Sequence, residues 1–235
     1  NVRMLLTLSN MQALQNNVIP NLVIQFENAF SVKLTDESKK IQEALTQINA
    51  NLFSSFIRPF VESLRDIIHS GITSPSWVPL EKPQQVGPYV YKILLSLVLL
   101  HSQVFTTTLS LTGNTLSYLL EQISLELFET LKLRKNWTLP ALMQATLDVE
   151  FVSQTLSQYT TDKASEIQSR IYEELDKGTD SKTRAELQTE LPEMRSLLKR
   201  LRDVSRAEFI CFKKSRSRNE TVFATTEVTE QMEIN

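Results

Sequence analysis

The chain has 235 residues, with 25 Lys+Arg against 27 Asp+Glu, a net charge of −2 and only 4 Gly. Gly71, Gly87, Gly113 and Gly178 lie too far apart to build a phosphate-cradling loop, which needs bare backbone at several neighbouring positions. Tight-turned β folds also draw on Gly, and a near-neutral balance gives no global pull towards nucleic acid or anionic membrane, so long helices remain.

A lone cysteine, Cys211, allows no internal disulfide. Two histidines, His69 and His101, cannot complete a zinc site with it, so no metal or cofactor is expected. The longest apolar run, Ile93–Leu100, falls far short of the roughly 20 residues that span a bilayer. Because the chain opens on Asn1 with no basic-then-apolar leader, it reads as a piece of a larger protein.

Helical periodicity begins at Val2 and runs to Phe30, with Pro20 expected to kink or split it. Thr35 offers an N-cap, with Asp36 and Glu37 in the first turn, where the helix dipole favours acids. Ile41, Leu45, Ile48 and Leu52 continue the helix at spacings of three and four. It runs on to about His69, bent at Pro59 and closed by Gly71. Residues 71–88 hold Pro75, Pro79, Pro83 and Pro88 and read as a loop pinned by Trp77 and Val78.

A helix from about Pro88 to Leu111 follows. Its Ile93–Leu100 stretch is apolar on nearly every side, which predicts burial all round. Gly113 and Asn114 are expected to break the chain. The next helix carries Leu116, Leu120, Ile123, Leu127 and Leu131 on one face, with Glu121, Gln122, Glu126 and Glu129 outward. Thr138 and Pro140 start another, which bears two apolar rows. Leu142, Ala145, Val149, Val152, Leu156 and Tyr159 form one, and Met143, Leu147 and Phe151 the other, so it should meet neighbours on two sides. Thr161 caps a shorter helix through Ile167 and Ile171 to Gly178. The last helix begins near Lys182, is expected to kink at Pro192, and carries Leu187, Leu191, Met194, Leu198 and Leu201.

The organisation expected is all-α, an elongated up-and-down array of long helices. Residues 1–70 form a bundle part of two long helices, 71–88 the proline-rich loop, 89–214 a C-terminal bundle, and 215–235 a mobile tail, being rich in Ser, Thr and Glu.

No catalytic pattern emerges. The glycine spacing excludes a nucleophile elbow. Asp148 and Glu150, two apart, do not share a helical face and make a poor acid–base pair. His101 reads as a packed histidine and Cys211 as a core residue. The charge layout says more. Residues 195–218 hold nine basic and two acidic side chains, whereas 219–235 carry four glutamates and no base. Arg195, Lys199, Arg202 and Arg206 fall on one helical stripe, extended by Lys213 and Lys214. That stripe is either a solvated face neutralised by the acidic tail, or a docking surface for a partner or anionic lipid. Nucleic acid is not expected, because no aromatic platform accompanies it, and no small-molecule substrate is indicated.

The segment Val86-Gly-Pro-Tyr-Val-Tyr-Lys-Ile-Leu-Leu-Ser-Leu-Val-Leu-Leu-His-Ser-Gln-Val104 resembles the exocyst complex component two family, the Sec-five subunit. The matching positions are Val86, Tyr89, His101, Gln103 and Val104. Thr138–Phe151, continuing through Gln154–Thr161, is similar to the fungal form, and Leu5–Asn10 with Gln25-Phe-Glu27 adds a third match. The likeness covers roughly residues 1–214 and rests on packing motifs. It implies a rod of stacked helical bundles from the subunit's C-terminal region. It also implies a non-catalytic role in tethering secretory vesicles to the plasma membrane, with other exocyst subunits as partners. The place implied is the cytoplasm, with recruitment to the plasma membrane at sites of polarised secretion. Peripheral contact with anionic membrane through the basic stripe is the alternative.

Overall fold

The computed structural model describes residues 2–213; Lys214 and the tail expected at 215–235 lie outside the described residues. The described residues are all-α, an up-and-down helical array with no strand among them. The helices are α1 (Val2–Ala13), α2 (Ile19–Phe30), α3 (Thr35–Thr73), α4 (Pro88–Thr107), α5 (Thr112–Lys132), α6 (Leu139–Thr155), α7 (Asp162–Lys177) and α8 (Ser181–Val204). They pack in two layers. In one, α1, α3, α5 and α7 lie side by side; in the other, α4 joins α6 and α6 joins α8. Helix α4 closes the layers by touching α1, α3 and α5 as well as α6. One apolar core runs from Leu5 to Phe212.

Pro20 acts as its chemistry requires. Its ring nitrogen has no hydrogen to donate and its ring crowds the carbonyl four residues back. The backbone widens into a π turn, Leu14–Val18, before α2 resumes. The Gln15 carbonyl there accepts a hydrogen bond from Gln42 Nε2 of α3 at 3.0 Å. Pro59 and Pro192 are carried inside α3 and α8, which run unbroken through them.

Several expected boundaries move. Helix α3 continues through Gly71 to Thr73, so the loop is residues 74–87 rather than 71–88. Tyr89 packs directly onto Gly71: a β-carbon there would collide with the Tyr89 β-carbon and ring. The break expected at Gly113 and Asn114 lies earlier, at Thr108, where the backbone leaves the helical region; Gly113 sits in the first turn of α5. Thr35 is the first residue of α3 rather than its cap, and Glu27 Oε1 accepts the Leu34 N–H at 2.7 Å. Thr138 occupies the cap position of α6 without a side-chain bond, whereas the Thr161 hydroxyl accepts from Ala164 N at 3.1 Å as expected.

Helix α4 is the one described helix long and apolar enough to cross a bilayer. Ile93, Leu94, Leu97, Leu100 and Val104 are buried in the bundle, but Leu95 and Leu99 face outward, so it is not buried all round. Two of the acids expected on the outer face of α5, Glu121 and Glu126, instead tie it to its neighbours. Glu126 pairs with Arg65 of α3 at 2.7 Å, and Glu121 accepts from the Thr161 hydroxyl at 2.7 Å.

The proline-rich loop is held by a buried carboxylate. Asp148 of α6 is fully buried. Its Oδ1 accepts from Gly87 N at 2.7 Å and Gln144 Nε2 at 2.8 Å, and its Oδ2 from the Trp77 indole at 2.9 Å. Gln144 also donates to the Gln85 carbonyl at 3.1 Å. Gly87 belongs to this close approach, since a β-carbon there would meet both the Tyr89 ring and Asp148 Oδ2 within 2.9 Å. Trp77 packs edge-on to Trp137, and the Arg134 guanidinium lies over both rings. Desolvation, partly offset by these donors, pushes the Asp148 carboxyl up to about 6.

Two predictions follow from this packing. The folded chain holds the Asp148 proton more tightly than the unfolded chain does. Its contribution to stability is therefore full below the ordinary carboxylate range and is lost as pH rises through about 6. Between pH 7 and pH 5 the wild type should gain about 1 kcal/mol relative to Asp148→Asn, measured by urea unfolding; a constant difference would show that the carboxyl titrates normally. Separately, Gly113→Ala meets nothing within 4 Å and should stabilise by about 0.5 kcal/mol, whereas Gly71→Ala should destabilise by about 1–3 kcal/mol. Thermal unfolding of the two variants would order them in that sense.

Candidate interaction surfaces

The π turn and the α2–α3 connection are locked by polar contacts. Gln15 Nε2 donates to Thr46 Oγ1 at 2.8 Å, and Asn49 Nδ2 donates to Gln15 Oε1 at 2.5 Å. Glu27 is held below the usual carboxylate range, first by the Leu34 N–H and then by Lys33. Ser31 closes α2 in the left-handed conformation, with φ of 53°. The connection is thus fixed, yet α2 buries none of its residues. Leu22, Phe26 and Phe30 follow one another at intervals of four, exposed by 54%, 46% and 64%, with the two rings 4.5 Å apart. Val32, Ile41 and Ile48 are exposed near the same end of the fold. The sequence reading did not single out this row. Its signal was there in α2, where apolar residues outnumber polar ones and Ile19, Leu22, Val23, Phe26 and Phe30 repeat at helical spacing.

The expected basic stripe is divided by the structure. Arg202 donates to Gln154 Oε1 at 2.8 Å and to the Gln154 carbonyl at 3.4 Å, so it secures the C-terminal end of α6. Arg195 lines an apolar cleft between α6, α7 and α8 with Leu142, Leu187, Leu191 and Leu198. On the floor of that cleft the Tyr172 phenol donates to Glu150 Oε1 at 2.6 Å, and burial pushes the phenol up. Lys199, Arg206 and Lys213 are exposed and line, with Arg202, a second groove of about 690 Å³. Lys214, the sixth residue expected in the stripe, lies outside the described residues.

This second groove lies where the C-terminal end of α6 meets the end of α8. Four cations line it against one carboxylate, Asp203. Phe209 and Phe212 form its base, with ring centroids 6.3 Å apart. Both rings are buried against an aromatic cluster that includes Tyr91, Phe151, His101 and Tyr159. His101 is half-buried and stacks on Phe105, and burial holds its imidazole below the ordinary range. Cys211 packs against the core while remaining partly exposed.

The comparisons agree with one another. A family model described as Exocyst complex component Sec5 matches residues 1–212. Human Exocyst complex component 2 is 25% identical over 192 residues, covering 79% of this chain and 21% of the human protein. The mouse protein of the same name is 24% identical over 192 residues, with the same coverage of 79% and 21%. The chain therefore spans about a fifth of the length of the curated relatives it matches. No solved structure matches it. With one family matched along all of the bundle but its final residue, the chain belongs to the exocyst complex component Sec5 family.

Proposed function

We propose that this chain is a non-catalytic, structural part of an exocyst subunit. On this reading it acts in exocytosis, where the complex tethers secretory vesicles to the plasma membrane. Its partners are other exocyst subunits, and it works from the cytoplasm after recruitment to sites of polarised secretion. Membership of the family supports the subunit role.

The observation that supports a contact mechanism is the exposed apolar row of α2. A contiguous row of three large apolar side chains left in water marks a face that meets another surface. Here the face is also held in place: the π turn and the Glu27–Leu34 bond fix the direction of α2 before any partner arrives. Fixing the helix in advance lowers the ordering cost of association. The partner surface that fits is an apolar groove or helix face, because α2 offers no charged residue on the Leu22–Phe26–Phe30 row.

The test is a Leu22→Asp, Phe26→Asp, Phe30→Asp variant of the intact subunit. In the 235-residue chain these side chains are exposed, so thermal unfolding of that chain should be nearly unchanged. Recovery of other exocyst subunits on affinity purification should fall by about a hundredfold, the consequence of losing about 3 kcal/mol of apolar burial. Secretion should fall with it, and a photo-crosslinking residue at position 26 should capture another subunit. A variant that assembles and secretes like wild type would reject the reading.

A further inference from the structure

The described chain ends at Lys213, which itself lines the basic groove beside α8. Residues 214–235 follow it. Their last part carries Glu227, Glu230 and Glu233 at every third position, with Val228 and Met232 between them and no base after Arg218. The groove has the complementary composition. Lys199, Arg202, Arg206 and Lys213 line its sides, and Phe209 and Phe212 form its base. Among the described residues Lys199, Arg206 and Lys213 enter no ion pair.

We propose that the acidic segment Glu227–Glu233 of the same chain occupies this groove through charge pairing with Lys199, Arg206 and Lys213. The reach is sufficient. Thirteen residues lie between Lys213 and Glu227, an extended span of up to about 45 Å, while the part of α8 from Arg195 to Val204 is only about 14 Å long. Tethering makes the encounter intramolecular, at an effective concentration near millimolar for a short linker, so weak charge pairs are enough to populate it. The shape also favours a peptide over a membrane. A bilayer is flat and carries no carboxylates at fixed spacing, whereas these cations surround a concavity with a carboxylate, Asp203, among them.

Zero-length carbodiimide coupling of the intact chain tests this directly. The expected products join Lys199 or Lys213 to Glu227, Glu230 or Glu233. They should be absent from a Glu227→Gln, Glu230→Gln, Glu233→Gln variant and several-fold weaker at about 0.5 M salt, where charge attraction is screened. Amides of residues 205–213 should exchange with solvent about fivefold faster in that variant than in wild type. Mixing light and heavy isotope-labelled chains assigns the source: light–heavy products in place of unmixed ones would overturn the proposal in favour of a second copy. Absence of the coupled products with unchanged exchange overturns it outright. So does flotation of the wild-type chain with phosphatidylserine vesicles that is lost on Lys199→Glu, Arg206→Glu and is no stronger in the glutamine variant, since the groove would then be open to lipid.

Discussion

One carboxylate ties the loop between α3 and α4 to α6. Asp148 sits on α6 with no access to water, and three donors converge on it: the Trp77 indole and the Gly87 amide from the loop, and Gln144 from its own helix. Burying a charge is costly unless donors surround it. Here the donors lie at both ends of the loop, so the carboxylate is satisfied only when residues 77 and 87 are both home. That condition fixes where α4 begins, because Pro88 opens the helix immediately after the Gly87 amide is anchored.

The clamp transmits its position further. Trp77 meets Trp137 edge to face, and Trp137 belongs to the segment that leads into α6. The Trp137 ring in turn closes against Gly178, where a β-carbon would stand 2.6 Å from the indole. Gly178 ends α7 and precedes α8, so the direction of α8 depends on a stack that begins at Asp148. The basic groove lies at the far end of that same helix. Its geometry is therefore set by packing that carries no part of its charge. The α2 face arises differently. It exists because a proline forces a π turn and the polar side chains of α3 then hold that turn, which leaves the apolar row without a neighbour inside the fold.

Much of this was legible in the chain of residues, and the exceptions have physical causes. The helices and their apolar stripes follow from spacing alone, as at Leu142–Tyr159 on α6. What spacing cannot reveal is whether an apolar stripe has a partner. Leu95 and Leu99 looked like the rest of α4 and proved exposed, since the stripe is wider than the neighbours that cover it. The reverse error concerned Asp148, read as one half of a poor acid pair. It stands three residues after Ala145 and four before Val152, on a stripe that is otherwise apolar, and that position was the available signal. Arg202 shared the periodicity of Lys199 and Arg206, but only the fold brings Gln154 beneath it. The expected domain limits follow loops in the sequence, whereas the core is shared through α3, which packs on both α4 and α5.

The scarcity of glycine now has a different meaning. Few glycines suggested a chain that turns seldom, with each glycine placed at a turn. In the structure no glycine has positive φ, so none is there for backbone freedom. Gly71 and Gly87 are places where Tyr89 comes too close for a β-carbon, and Gly178 is where Trp137 does. Gly87 and Gly178 lie along the path that starts at Asp148, and Gly113 touches nothing. Glycine here is a mark of tight approach between an aromatic ring and a helix or loop end. An array of long helices gains stiffness from such approaches, because each one fixes the relative height of two elements where a sliding leucine contact would not. That rigidity holds the α2 face and the basic groove in a fixed relative orientation.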